Sequence, residues 1–203
     1  MNIDFTPLVS VIVPVLNEAA IIEQICMHLL AACSGYSREI IIVDGDPSGS
    51  TIKYVNSAQI QTFTAPCGRA SQMNAGAKAA RGRILLFVHA DTRLPEGAIR
   101  DVMEACRTPS IAGGAFLLGI ESEKRIFRYM GGYTEIPLME DIEIMQRLKR
   151  KRLKIELIGK SVQTSARRWE KEGIVYAMIR NNLLSFLYYT GANPCLLNKF
   201  YRN

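Results

Sequence analysis

The sequence predicts an α/β domain: a mostly parallel sheet with helices on both faces, followed by C-terminal helices. Two observations carry this. Short runs of apolar, β-branched residues alternate with helical stripes at close spacing. The runs are also apolar on both faces, as strands are when helices cover both sides of a sheet. Right-handed crossovers then put the loops after the strands on one edge, and ligands bind there, beyond the strands' carboxyl ends.

Leu8–Val15 reads as the first buried strand. Asn17 is placed to cap the next helix by accepting from the open amides of its first turn. Ile21, Ile22, Ile25, Cys26, Leu29, Leu30 and Cys33 form that helix's apolar stripe, and Gly35 ends it. Glu39–Asp44 is a second strand, and Asp44 through Thr51 is a turn-rich loop leading into a short helix. Ile60–Thr64 is a third strand, Arg69–Ala80 an alanine-rich helix ended by Gly82, and Arg83–Val88 a fourth strand. Pro95 suits the first turn of a helix reaching about Cys106, where a missing N–H is tolerated. After a strand at Ala112–Leu118 the alternation stops. Glu123–Met130 reads as helix, and Glu140–Lys151 as a helix led by two acids that suit its dipole. Lys154–Ile158 is a short strand, Arg167–Tyr189 a long helix, and Asn193-Pro194 opens a last helix to Tyr201.

The chain has 203 residues, 48% hydrophobic and 22% charged, enough for one real core and too apolar for disorder. The five cysteines are odd in number and lack a Cys-x-x-Cys pair, which points to a reducing compartment without a disulfide framework. Cys26 and Cys33 fall on the apolar stripe. Two distant histidines argue against zinc. Met1–Leu8 lacks the pattern of a signal peptide, and no window reaches about 18 apolar residues. The expected location is the cytoplasm, or the cytoplasmic face of a membrane. The net charge of +6 is uneven: ten Lys/Arg lie between Arg147 and Lys171, opposed by Glu156 and Glu170. Such a patch attracts phosphates of a nucleotide, an anionic lipid or a nucleic acid, although a solvated basic face accounts for most of it.

The loops after strands one, two and four bring together Asn17 and Glu18, Asp44 and Asp46, and His89 and Asp91. Asp91 directly follows the fourth strand. A carboxylate there can hold Mg²⁺ or Mn²⁺ against a diphosphate and offset charge on the leaving group. A turn aspartate opening the next helix explains the position equally well. Asp44 could accept from a base or ribose, with Gly45 and Gly49 letting the loop come close; Asp-Gly after a strand is also ordinary turn chemistry. His89 could touch a nucleotide, while His28, beside an apolar stripe, reads as structural. Arg69, at the start of its helix, could reach a phosphate. Gln72, Asn74 and Gly76 are polar or small where packing favours large apolar groups, which close packing on the sheet would also explain. One of Glu140 and Asp141 could take a proton from a hydroxyl, or both could complement the helix dipole. Arg167-Arg168-Trp169 sets the single tryptophan beside two arginines, for a stacked sugar or for a cation–π contact.

Taken in order, Pro14-Val15-Leu16-Asn17-Glu18, Ile42-Val43-Asp44-Gly45, Gly68-Arg69 through Gly76, Val88-His89-Ala90-Asp91-Thr92 and Met139-Glu140-Asp141 resemble the family-2 glycosyltransferases of the GT-A fold. Within them the chain looks most like small bacterial enzymes associated with arsenosugar biosynthesis. Gly68-Arg69-Ala70-Ser71-Gln72-Met73-Asn74, His89-Ala90-Asp91-Thr92 and Thr164-Ser165-Ala166-Arg167-Arg168-Trp169 carry that likeness. The resemblance implies a Rossmann-like sheet and a metal-dependent transferase. Such an enzyme moves a sugar from a nucleotide diphosphate to an acceptor hydroxyl with inversion. It implies Pro14, Asn17, Glu18, Asp44, Asp46, Arg69 and His89 at the nucleotide, with Asp44 on the base. Asp91 matches the metal-binding acid of the Asp-x-Asp motif, and Mn²⁺ or Mg²⁺ is the implied cofactor. Asp141 matches the catalytic base with Glu140 beside it, and Arg168 and Trp169 match an element near diphosphate and acceptor. One domain over 1–203 then divides into a nucleotide-binding half (1–110), an acceptor and catalytic half (111–166) and C-terminal helices (167–203).

Two departures stand out. His89 occupies the place of the first Asp-x-Asp acid, so its ribose contact is not carried over. Met130 runs directly into Gly131-Gly132-Tyr133 where relatives have a longer stretch. The expectation is that residues are missing between 130 and 131, and part of the acceptor side with them. The rival readings are a nucleotidyltransferase, which Asn17-Glu18-Ala19-Ala20 after the first strand disfavours, and a non-catalytic module binding lipid or nucleic acid through the basic patch. The reading adopted has a nucleotide-sugar donor, an unidentified acceptor that is lipid-linked in one version, and no nucleic acid. Ile174–Tyr189 is apolar and aromatic, which leaves core, dimer interface and membrane surface all open for it.

Overall fold

A computed structural model describes residues 8–108, 111–116, 119–164 and 173–202. The main sheet is built from β1 (Val9–Val15), β2 (Arg38–Asp44), β3 (Ile60–Thr64), β4 (Ile84–Phe87), β6 (Ile111–Phe116), β7 (Gly119–Glu123) and β8 (Lys154–Ile158). Its seven strands run in the order β3-β2-β1-β4-β7-β6-β8. The pairings β1–β2, β2–β3, β1–β4 and β6–β8 are parallel, and β7 runs antiparallel between β4 and β6. A two-stranded ribbon, β5 (Thr92–Arg93) with β9 (Gln163–Thr164), stands apart from it.

The period-two alternation of the strands sorts side chains into two cores. Val9, Val11, Val13, Ile40 and Ile42 pack on one face with α1 (Ile22–Ala32) and α3 (Ala98–Ala105). Ile12, Ile41 and Val43 pack on the other with α2 (Arg69–Ala79), α4 (Lys124–Tyr129) and α5 (Glu140–Arg150). Cys26 and Cys33 are buried in the first core. Gly76 explains how α2 rides so low: a Cβ there would sit 2.5 Å from Ile12 Cγ2. Phe87, Phe127 and Tyr133 form a ring cluster with centroids 5.1–5.4 Å apart under the second half of the sheet.

Several sequence expectations need correction. Asn17 does not cap α1: it adopts a left-handed φ of 58°, and a further turn, with Ile21 N–H donating to Glu18 O, precedes the helix at Ile22. Asparagine tolerates that conformation, so it serves the turn rather than the helix. Pro95 lies in the turn before α3, which begins after Gly97 at φ 74°. The segment expected to be helix from Glu123 starts one residue later, and Gly119–Glu123 forms β7. Of the long helix expected from Arg167, α6 is described over Ile174–Tyr189, and residues 165–172 lie outside the described residues. The last helix, α7 (Pro194–Arg202), is capped as expected, the Cys195 N–H donating to Asn193 Oδ1 at 2.8 Å.

From Met130 to Gly131 the chain runs on through a turn with Gly131 and Gly132 at φ 81° and 74°. Asn74 grips Tyr133 from both sides, donating to its carbonyl at 2.9 Å and accepting its N–H at 2.8 Å. The Arg147 guanidinium donates to Met130 O and Gly132 O at 2.6 Å each.

Candidate active site

The parallel strands end at an open cleft of about 800 Å³. Its walls are Pro14–Leu16 and Glu18 at and beyond the end of β1, Cys67–Gln72 at the start of α2, His89–Asp91 after β4, Glu135–Leu138 and Glu140 before and at the start of α5, and Cys195, Asn198 and Tyr201 on α7.

The end of β1 borders the cleft, and β2 ends beside it. Val15 and Asp44 are in register, and Gly45 N–H continues the pairing to Val15 O at 2.9 Å. Asp44 is fully buried and accepts the N–H groups of Asp46, Thr51 and Ile52 at 2.9–3.3 Å. In this structure its carboxylate organises its own loop. Thr51 carries the link further, its hydroxyl accepting the Glu18 N–H at 3.1 Å. Asp46 accepts from the Ser48 amide and hydroxyl. The neighbouring Ser50 hydroxyl, then Ser48, hold its carboxyl down to about 2. Pro14 and Glu18 face the cleft; Asn17, Asp44 and Asp46 are not among its lining residues.

At the end of β4 the exposed carboxylate of Asp91 lines the cleft. The segment is fixed on both sides. Thr92 N–H donates back to His89 O at 3.0 Å, and Thr92 and Arg93 pair with β9. His28, expected to be structural, accepts the Leu94 N–H at 2.9 Å through Nε2. Burial and the Arg93 charge lower its pKa, which keeps that nitrogen free to accept. Burial and the Arg69 cation push the His89 imidazole down to about 4, against the pull of Asp91 and Asp141. His89 is therefore neutral at pH 7, and it shares the cleft wall with Arg69 and Asp91.

The opposite wall begins α5. Glu140 is 3% exposed and receives the Arg69 guanidinium at 3.3 Å. Burial raises its pKa, Arg69 opposing. Asp141 is half-buried, and one of its oxygens accepts the Ile142 N–H at 2.8 Å. Of the pair, Glu140 lines the cleft and Asp141 is not among its lining residues. Asp141 lies close enough to act on both His89 and the Tyr133 phenol. Arg168 and Trp169 lie outside the described residues.

The chain matches the glycosyl transferase family 2 over residues 10–168. It belongs to that family. The matched segment contains every wall of the cleft except α7. The fold agrees with solved glycosyltransferases. One is the mannosyltransferase PcManGT from Pyrobaculum calidifontis in complex with GDP-Man and Mn²⁺, at TM-score 0.66 and 16% identity, covering 76% of this chain and 55% of that one. Another is S. aureus TarS 1-349 in complex with UDP-GlcNAc, at TM-score 0.59 and 17% identity, covering 76% and 57%. An uncharacterized protein of Mycobacterium tuberculosis, MT1568, is 32% identical over 120 residues, which are 54% of this chain and 35% of that protein. The chain thus spans little more than half the length of these structures and about a third of that relative.

For a family-2 glycosyl transferase, several cleft residues were not legible in the sequence. Gln72 lay within the Gly68–Gly76 motif of the resemblance but had no role assigned beyond being an odd polar residue on a small-residue helix. It is 3% exposed, and its amide donates to both Val15 O and Val43 O at 2.8 Å. Cys195, Asn198 and Tyr201 share one face of α7 by their i, i+3 spacing, a pattern that names a face but not what it meets. Arg180 of α6 steadies that helix, its guanidinium 5.0 Å from the Tyr201 ring centroid and 5.6 Å from that of Tyr176.

Among the described residues no group of three or more His, Cys, Asp or Glu side chains is arranged to hold a metal ion. The exposed carboxylate of Asp91 faces the cleft beyond β4, with Glu18 and Glu135 also on its walls. That donor set fits a hard divalent cation completed by substrate phosphates and water, and does not fit a cage built by the protein alone.

Proposed function

We propose that this family-2 glycosyl transferase moves a sugar from a nucleotide diphosphate to an acceptor hydroxyl with inversion. The observation that carries the reading is the cleft at the carboxyl edge of the sheet, which Arg69, His89, Asp91 and Glu140 line together. A cation and a metal-type carboxylate there border one space, and the candidate base Asp141 follows Glu140 of the same wall. GDP-Man and Mn²⁺ in PcManGT, and UDP-GlcNAc in TarS, support a nucleotide-sugar donor. The subfamily likeness to enzymes associated with arsenosugar biosynthesis belongs to the same proposal and leaves the acceptor open.

In this reading Pro14, Asn17, Glu18 and His89 border the nucleoside, and Asp44 and Asp46 shape the loop beside it. Asp91 would hold Mn²⁺ or Mg²⁺, which supplies charge compensation for a diphosphate leaving group. Asp141 takes the proton of the acceptor hydroxyl. The oxygen attacks the anomeric carbon as the bond to the diphosphate oxygen breaks on the opposite face, so one displacement inverts the centre. Arg69 exchanges its Glu140 partner for a diphosphate oxygen, and Arg168 and Trp169 border diphosphate and acceptor. Calorimetric titration of UDP and of GDP, with and without MnCl₂, tests the site. Metal-dependent affinity for one of them is expected. A non-catalytic phosphate-binding module would bind neither in a metal-dependent way.

We also propose a location at an anionic membrane face, without a nucleic-acid partner. Tyr176, Ile179, Leu183 and Phe186 repeat along α6 and are each more than half exposed. Gly173 to Asn203 carries Arg180, Lys199 and Arg202 and no acid. That charge favours anionic lipid and repels a second copy of the same face. No helix among the described residues is long and apolar enough to cross a membrane. Co-sedimentation with phosphatidylglycerol vesicles at low salt is expected, weakened in Phe186→Glu. A dimer in solution that Phe186→Glu dissociates, without vesicle binding, would overturn this in favour of self-association.

A further inference from the structure

We propose that Gln72 is a positioning residue of the nucleotide site, clamping the carboxyl ends of β1 and β2 at a set separation. The inference rests on reading the cleft as that site. On α2, Ala70, Met73, Gly76 and Ala77 are buried against the sheet, as small or apolar residues should be. Gln72 is buried beside them, yet it is an amide. Its Nε2 donates to Val15 O and to Val43 O, both at 2.8 Å. One nitrogen with two N–H groups thus spans adjacent strands at Val15, the last residue of β1, and Val43, the residue before the end of β2.

The surroundings are shaped to admit this side chain. A Cβ on Gly45 would lie 2.9 Å from Gln72 Oε1, so a glycine at that position leaves room for the amide. Val15 O also accepts the Gly45 N–H, which makes it the shared acceptor where the two strands diverge into their loops. Those loops carry Leu16 and Glu18 on one side and the Asp44-organised turn on the other, joined by Thr51. The clamp sits under that join. Relaxing it moves the nucleoside wall relative to α2, from which Arg69 reaches the other side of the cleft.

Gln72→Met keeps length and helix propensity and removes both donors. Gly45→Ala keeps the donors and crowds the amide from the opposite side. Ile12→Val, beneath α2, serves as a control that loosens packing without touching the clamp. Below the melting range of all variants, Gln72→Met is expected to weaken Mn²⁺-dependent UDP or GDP affinity about tenfold, the scale of a misplaced binding wall. Gly45→Ala should follow in the same direction by less, and Ile12→Val should lower Tm with affinity kept. In the free proteins, amide exchange at Glu18, Gly45 and Asp46 should rise in Gln72→Met and not in Ile12→Val. Unchanged affinity, or exchange rising no more than in Ile12→Val, overturns the clamp. If the wild type binds neither nucleotide, the reading of the cleft fails instead, and the exchange experiment still decides on Gln72.

Discussion

At the amino edge of the parallel sheet Glu39 is 5% exposed, and at the carboxyl edge Glu140 is 3% exposed, so burial does not separate them. Their partners do. Glu39 accepts from the Ser10 hydroxyl, the amides of Arg81 and Gly82, the Arg81 side chain and Gln61. Burial pushes its pKa up, but those hydrogen bonds outweigh burial and bring it below the usual glutamate range. Glu140 meets one half-exposed arginine, and burial wins. The amino edge is a closed joint tying β1, β2 and the turn before β4. At the carboxyl edge Glu140 is buried against a cleft with one side-chain partner, Arg69, the condition under which a ligand can supply further ones.

The sharpest way to break this contrast lies at the carboxyl edge. Asp141→Asn is expected to lower transfer by about 10²–10⁴-fold, the range for a lost general base, with nucleotide affinity retained. Retained transfer in that variant would move the base to Glu140, which lines the cleft. Asp91→Ala is next: the Mn²⁺-dependent part of UDP or GDP affinity should vanish in titration while a metal-independent remainder persists.

A smaller effect tests the comparison through stability. Glu39 has a lowered pKa in the folded chain, so its stabilisation is present above the glutamate range and fades as pH falls through it. Glu140 has a raised one, so its favourable contribution is complete at acid pH and is lost as pH rises through its folded value. At pH 7, Glu39→Gln should therefore destabilise by about 1–3 kcal/mol in urea unfolding, since it disturbs a satisfied buried network. Glu140→Gln should be close to neutral, within about 1 kcal/mol, because its partner Arg69 is half-exposed and can return to water. Equal losses in the two variants would erase the distinction between the edges. The smallest expected effect concerns His28. With its pKa lowered, its hold on Leu94 N–H is present above the ordinary histidine range and is lost as pH falls below it. Protection of the Leu94 amide from exchange, relative to its intrinsic rate, should fall at mildly acidic pH in the wild type and be already low, and pH-independent, in His28→Phe.

The parallel half of the sheet was legible because its strands are apolar on both faces and separated by short loops. Ile60–Thr64 and Lys154–Ile158 matched residue for residue. β7 was hidden because Gly119–Glu123 is polar and glycine-containing and takes its strand form from pairing with β4 and β6. Asn17 misled because the same side chain suits a cap and a left-handed turn. At the site, ordered motifs pointed to Asp91, Arg69 and the Glu140-Asp141 pair; Gln72 lay in a motif without an assigned role, Tyr201 shared a helix face with nothing to say what it meets, and Thr51 carried no signal of its own.

The sequence by itself determined the alternation of strand and helix, the edge at which the loops gather, and the chemical kinds of side chain they carry. Periodicity and turn chemistry are local properties, and chain handedness orders the rest. Only the tertiary structure decided which of those side chains are already engaged. Asp44 turns inward to three amides, Glu140 finds Arg69, and Gln72 bridges two strand ends. Hydrogen-bond saturation depends on atoms brought together from distant parts of the chain, and that pairing is a property of packing.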